Sequence, residues 1–305
     1  MNRADAPAVT VVIPTANRPE LLQTAVASVL AQDYAGPIDC LVVFDRGECD
    51  LPAPCVPNRA VRGMPNTRIH GLAGSRNTGI LASTAPIIAF LDDDDEWLPQ
   101  KLSRQISLLE SRADAVAVGC GNIVVYDGHE TVRPAPDEIT FADLLRSRVA
   151  VLHSSTIVAR RADILQRVGL IDEDAPAGAS EDYEWQLRAA RQGPILMVRD
   201  PLARIHWHAG SRFSRQWDSF VAGLKYVLAK NPEFKTEPRG ASRIYGQIAF
   251  AYAAMGRTRH AIRWTLRCIT ADWRQPRAYL SLLVASRLLQ PEAILHRLHL
   301  RGKGI

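Results

Sequence analysis

Pro86-Ile-Ile-Ala-Phe-Leu-Asp-Asp-Asp-Asp-Glu-Trp-Leu-Pro-Gln-Lys101 is the stretch on which the reading of this chain turns. Its apolar half, Ile87 to Leu91, is a short β-prone run of the kind that forms a strand buried on both faces. It ends abruptly in Asp92, Asp93, Asp94 and Asp95. Four carboxylates crowded at one sheet edge repel one another unless a cation neutralises them. Hard divalent ions such as Mg²⁺ or Mn²⁺ take carboxylate oxygen and often share a bound phosphate. The run lies at a strand's C-terminal end, where open α/β sheets hold their ligands, so it reads as a metal–diphosphate site. The competing reading is a solvated acidic turn, with Asp95 or Glu96 opening a helix whose N-terminus favours anions.

Upstream, Val9-Thr-Val-Val-Ile13 predicts a first strand, ended by Pro14-Thr15. Pro19 and Glu20 suit the first turn of a helix, and Leu21, Leu22, Ala25, Val26, Val29 and Leu30 follow at helical spacing. Ile38 to Phe44 predicts a second strand, so the β-α-β order implies parallel pairing and a doubly wound α/β layer. Residues 48 to 70 predict an irregular excursion with one short strand. Gly71-Leu-Ala-Gly-Ser-Arg-Asn-Thr-Gly79 predicts a glycine-punctuated helix start, whose free N–H groups suit phosphate, or a tight turn only. Arg76 within it could reach a nucleotide held at the same edge.

Downstream, Leu98 to about Arg112 predicts a helix, and 115–118 and 122–126 predict two strands with Asp127-Gly128 as a turn. Further expectations are a short helix from Thr140 to Arg148, a strand over 155–159 and a helix from Arg161 to Val168. Ser180-Glu-Asp-Tyr-Glu-Trp185 predicts a helix with Ser180 as its cap and acids in its first turn. If Arg204 to Ser211 is extended, His206 and His208 face one side, as paired ligands would require.

Composition narrows the class. The 305 residues are 47% apolar and 23% charged, an ordinary globular balance. The N-terminus lacks a basic region followed by an apolar one, and no stretch approaches 18 uninterrupted apolar residues. Cytoplasmic residence is the expectation. The five cysteines include no C-x-x-C pair, which argues against both a zinc site and a disulfide framework. The net charge of +5 is uneven: from Ala241 to Ile305 eleven Lys or Arg face only Asp272 and Glu292, a local +9. Either these cations solvate the helices or pair with the acidic remainder, or they attract the segment to an anionic membrane surface.

Val9-Thr-Val-Val-Ile-Pro-Thr15, Val43-Phe-Asp45, Ser75-Arg-Asn-Thr-Gly79, Phe90-Leu-Asp-Asp-Asp-Asp-Glu-Trp97, and Gly169-Leu-Ile-Asp-Glu with Glu181-Asp182 stand in an order and spacing that resembles the family 2 inverting glycosyltransferases. The resemblance spans about Ala8 to Ser211. It implies a GT-A fold, a Rossmann-like, mostly parallel sheet flanked by helices, and transfer of a sugar from a nucleoside diphosphate donor, expected to be a UDP-sugar, to a hydroxyl of a glycan, lipid-linked or small-molecule acceptor. It also implies Mn²⁺ or Mg²⁺ bridging the diphosphate to Asp92-Asp93-Asp94. Carried over by position, Thr15, Asp45, Arg76, Asp92 and Asp93 resemble donor contacts, Asp94 the principal metal ligand with Asp92 beside it, and Asp182 the catalytic base. His208 or His206 matches a variable position that can meet metal or diphosphate. The chain departs from the pattern after its second strand: Asp45 is followed by Arg46-Gly47-Glu48 and not by a second acid with Gly-Ser, which leaves base specificity open.

The expected division is a catalytic domain over 1–212 and a helical extension over 213–305, in which 249–261 resembles one tetratricopeptide-type hairpin. Nothing in the sequence suggests a nucleic-acid partner. Two other classes fit the α/β layout. A sugar-nucleotide nucleotidyltransferase would need a glycine-rich basic loop after the first strand, where this chain has Pro14-Thr-Ala-Asn-Arg18. A catalytically silent scaffold sits poorly with intact acids at 92–94 and 182.

Overall fold

The computed structural model describes residues 6–53, 56–176, 180–207 and 216–304. A ten-stranded sheet runs through the α/β part. In chain order its strands are β1 (Val9–Ala16), β2 (Ile38–Arg46), β3 (Arg59–Pro65), β4 (Ile87–Phe90), β5 (Glu96–Trp97), β6 (Ala117–Tyr126), β7 (His129–Arg133), β8 (Glu138–Ile139), β9 (Val158–Arg160) and β10 (Ile195–Trp207). Across the sheet the order is β3-β2-β1-β4-β9-β6-β10-β5, with β7 on β6 and β8 on β10. The pairs β1/β2, β1/β4, β2/β3 and β6/β10 are parallel, while β9 runs antiparallel to both neighbours. The expected mostly parallel, helix-flanked sheet is what forms.

Strand β1 is central because its apolar residues are buried on both faces: Val9, Val11, Val12 and Ile13 are all fully enclosed. Helix α1 (Pro19–Leu30) starts on Pro19 and buries Leu22, Ala25, Val26 and Val29, one stripe at helical spacing. Helix α2 (Leu72–Ala82) follows Gly71, whose φ of 123° only glycine holds without strain. Gly79 lets α2 approach the sheet, since a Cβ there would stand 2.3 Å from Val12 Cγ1.

Several local expectations are corrected. The two strands predicted over 115–126 are one continuous β6, and Asp127-Gly128 turns it into β7. After the acidic run comes the short β5 and not a helix start, because Glu96 and Trp97 pair with Arg204 and Ala203 of β10; α3 (Lys101–Ser111) begins later. Residues 154–156 form a 3₁₀ turn before β9. The helix expected from Arg161 begins as α5 (Arg161–Asp163) and continues as a π-turn over Ile164–Val168. Ser180 does not cap α6 (Glu181–Gln192): it takes a left-handed φ of 70° and its hydroxyl makes no capping bond. The short helix expected over 140–148 forms as α4 (Phe141–Arg146), and Thr140 caps it, Thr140 and Asp143 bonding reciprocally.

The C-terminal part is helical: α7 (Trp217–Lys230), α8 (Pro238–Ala254), α9 (Thr258–Ala271), α10 (Pro276–Ala285) and α11 (Pro291–His299). Pro238 opens α8, where its missing N–H costs nothing. Val221, Phe234, Ile244 and Phe250 share one apolar core with Leu144, Tyr183 and Leu187. The helices are therefore packed on the α/β part. The expected boundary at 212/213 lies outside the described residues, as does His208.

Candidate active site

The acidic run leaves β4 at the C-terminal edge of the parallel strands, and neighbouring elements bind its members one by one. Thr15, at the end of β1, donates from Oγ1 to Asp93 Oδ2 at 2.7 Å. Arg18 bridges Asp93 and Asp94, its Nη1 lying 3.2 and 3.0 Å from their carboxylates. Asp92 accepts from buried Arg76 Nη2 at 2.6 Å and from Ser154 Oγ at 2.9 Å. Asp95, fully enclosed, accepts from Ser155 Oγ at 2.5 Å and from the His206 backbone N–H at 3.0 Å.

Arg76 joins the two acidic clusters. Its guanidinium stands 2.6 Å from Asp92 and 3.5 Å from Glu181, the first residue of α6. Asp182 follows and pairs with Arg148 Nη2 at 2.5 Å. Asp45, at the end of β2, anchors the start of α2: its Oδ1 accepts from the Gly71 N–H at 2.7 Å and from Asn66 Nδ2 at 2.8 Å.

These placements set the charges. Burial works to raise the Asp92 carboxyl, but Arg76 and His153 outweigh it and hold Asp92 below the ordinary carboxylate range. Burial pushes Asp93 up against the opposing pull of Thr15 and Arg18. Asp95 is pushed well up by burial, with Asp92 and Asp94 adding to it. Glu181 is raised to about 7 by burial and by Asp182. Burial also acts to raise Asp182, yet Arg148, followed by His153 and Arg76, brings it below its ordinary value. His153 is lowered by burial, which favours the neutral imidazole that a metal requires.

Donor atoms of Asp92, Asp95 and His153 lie within 4.8 Å of one another. Two carboxylates and an imidazole suit Mn²⁺ or Mg²⁺, and a cation beside Asp95 would offset the burial and the neighbouring acids that push its carboxyl up. The residues fit such an ion. Asp94, the expected principal ligand, stands beside this cluster with Arg18 on its carboxylate.

Thr15, Arg76, Asp92, Asp93 and Asp94 thus share one edge, and Arg76 draws Glu181-Asp182 to it. Asp45 stands at the neighbouring strand end. Sequence reasoning did not find Arg18, Asp95 as a separate anchor, Arg148, His153, Ser154 or Ser155. The polar run His153-Ser-Ser-Thr156 was the available signal.

The family model for glycosyl transferase family 2 matches residues 10–168, ending short of Glu181-Asp182. The chain is 29% identical over 234 residues to the amylovoran biosynthesis glycosyltransferase AmsB of Erwinia amylovora, covering 72% of this chain and 74% of that protein. It is 29% identical over 235 residues to an Escherichia coli UDP-Glc:α-D-GlcNAc-diphosphoundecaprenol β-1,3-glucosyltransferase, WfgD, covering 73% and 88%. In fold it is similar to S. aureus TarS 1-349 in complex with UDP-GlcNAc (TM-score 0.59, 15% identity, 97% of this chain and 92% of that one). It is likewise similar to the Pyrobaculum calidifontis mannosyltransferase PcManGT in complex with GDP-Man and Mn²⁺ (TM-score 0.58, 20% identity, 96% and 84%). With more than half of its length matched by the family model and the acidic strand end in place, the chain belongs to glycosyl transferase family 2 and is a glycosyltransferase of GT-A fold.

Proposed function

We propose that the chain transfers a hexose, with inversion, from a nucleoside diphosphate sugar to a hydroxyl of a lipid-linked glycan, with Asp182 as the base. The observation that carries this reading is Arg76, which holds Asp92 and Glu181 on one guanidinium although they are 89 positions apart in the chain. A donor-side acid and the base motif are thereby set at one edge.

In this reading Asp45 receives the base of the nucleotide, Thr15 and Asp93 line the nucleoside, and Asp92 and Asp94 hold Mn²⁺ or Mg²⁺, with the His153 imidazole beside Asp92 and Asp95. The bound ion would supply charge neutralisation for the departing diphosphate. Asp182 accepts the proton of the acceptor hydroxyl as its oxygen bonds to the anomeric carbon and the glycosidic C–O bond to the diphosphate breaks. The names of the E. coli relative and of the TarS complex, with UDP-Glc and UDP-GlcNAc, support a UDP-sugar; the former's diphosphoundecaprenol acceptor supports a lipid-linked one.

Incubation with a panel of UDP- and GDP-sugars, with and without Mn²⁺, tests the proposal. Release of nucleoside diphosphate from one donor only when metal is present supports it. Equal release in chelator, or none from any donor, counts against it.

A further inference from the structure

The C-terminal basic segment is sorted by the fold. Arg243 is buried and donates to the Tyr183 hydroxyl at 2.9 Å, and Arg257 pairs with Asp218. Among the described residues, Arg259, Arg263, Arg267, Arg274 and Arg287 are exposed and form no ion pair. They belong to the outer hairpin α9–α10 and the turn after it. Within 258–289 six arginines face one acid, Asp272, so the acidic α/β part does not neutralise this surface.

The same hairpin exposes large apolar side chains. Ala261, Thr265 and Cys268 turn inward, Cys268 Sγ meeting the Ser242 carbonyl of α8 at 3.1 Å. One position on, Ile262 is 45% and Leu266 59% exposed, and the same helical stripe points on to Trp273, 63% exposed just past the helix end. Tyr279 and Leu283 of α10 and Leu288, 73% exposed, continue the apolar surface. Arg259, Arg263 and Arg267 run beside the Ile262–Leu266 stripe, and Arg274 lies over the Trp273 ring at 5.2 Å. An apolar stripe edged by arginines, with a tryptophan at its rim, is the pattern of a helix lying in a membrane interface.

We propose that this outer face of α9–α10 docks on an anionic lipid bilayer, its apolar side chains entering the headgroup boundary and its arginines meeting lipid phosphates. A second copy of the chain is a poor occupant, because the same face twice sets arginine against arginine. A bilayer offers anionic and apolar layers together. The face stands behind α8, whose Arg243 touches Tyr183 beside Asp182, so docking here would hold the enzyme at the surface that carries a lipid-linked acceptor. The acceptor side of this inference rests on the function proposed above; the binding itself does not.

The test is co-sedimentation of the full chain with vesicles of phosphatidylcholine alone or mixed with phosphatidylglycerol, at low and high salt. Pelleting with the anionic vesicles only, reversed by salt, is expected. Arg263→Glu with Arg267→Glu should lower the partition coefficient by about tenfold or more, and Leu266→Ser with Trp273→Ser should weaken it while melting temperature and donor hydrolysis stay unchanged. Equal recovery in the supernatant with either lipid, undiminished binding by the arginine variant, or self-association without lipid binding overturns the proposal. Loss of vesicle binding with donor hydrolysis intact faults the docking face alone. Intact binding without hydrolysis of any donor faults the proposed transfer.

Discussion

Arg148 Nη2 stands 2.5 Å from Asp182 Oδ2, and its guanidinium also lies over the Tyr183 ring. The proposed base is therefore held as a paired carboxylate at the start of α6. Such pairing orients the group but lowers its basicity, so an acceptor hydroxyl must share or replace the arginine before the proton moves.

Asp182→Asn should bind UDP about as tightly as the parent chain and lose transfer by about 10²–10⁴-fold, because an amide cannot take the proton. Calorimetric UDP binding set against turnover measures both. A greater loss of transfer in Glu181→Gln than in Asp182→Asn would move the base to Glu181.

Removing Arg148 should shift the acid limb of the kcat/KM pH profile upward. The Asp182 carboxyl sits below its ordinary value because Arg148 leads the groups that outweigh burial; in Arg148→Ala burial gains ground and the carboxylate takes up its proton at higher pH. Arg148→Lys should keep most of the original profile. Superimposable profiles for all three proteins would show that this pair does not tune the base.

Glu181 gives a stability prediction of opposite sign to a paired acid. Its folded value of about 7 lies above the ordinary 4.5, so between those limits the folded chain binds more protons than the unfolded one. Stability is lost as pH rises through that window. Glu181→Gln should then melt higher than the parent at pH 8, by on the order of 1 kcal/mol, and close to it at pH 5. Thermal melts at both pH values decide it, and a variant less stable at pH 8 would refute the sign.

Asp94→Ala should lose metal-dependent donor binding and turnover together while the fold survives. In chelator its melting temperature should match or exceed the parent's, since one carboxylate has left a crowded edge and the Arg18 pair it gives up is partly exposed. Undiminished turnover in Asp94→Ala, or full parent activity in excess chelator, contradicts the metal assignment.

The framework of this site was legible because apolar periodicity marks buried strands directly. Val9 to Ile13, Ile38 to Phe44 and Ile87 to Leu91 each ended at a polar residue, Thr15, Asp45 and Asp92, that lies at the expected sheet edge. What did not show was everything supplied by irregular chain. Arg148 and His153 come from 147–156, where loop, turn and a 3₁₀ segment follow α4 without a period. Ser180 illustrates the limit of local rules: its residue type suits a cap, but the chain arrives at α6 in a left-handed turn that points the hydroxyl elsewhere. The link from Arg243 to Tyr183 spans 60 residues, and no local pattern encodes it.

Those long spans also order events during folding. Thr15 meets Asp93 across 78 residues, Asp92 meets Ser154 across 62, and Arg76 meets Glu181 across 105. A nascent chain carries β1 before the later elements, yet the proposed catalytic edge assembles only after α6 has left the ribosome, and Asp95 gains its His206 anchor later still. At about 5–20 residues per second, synthesis holds the chain for many seconds with β1 and β4 made but Asp92 and Asp95 not yet met by Ser154, Ser155 and the His206 N–H. Closure of these large loops is slow by its own entropy, so the protein acquires its reactive edge late, as the last non-local contacts form.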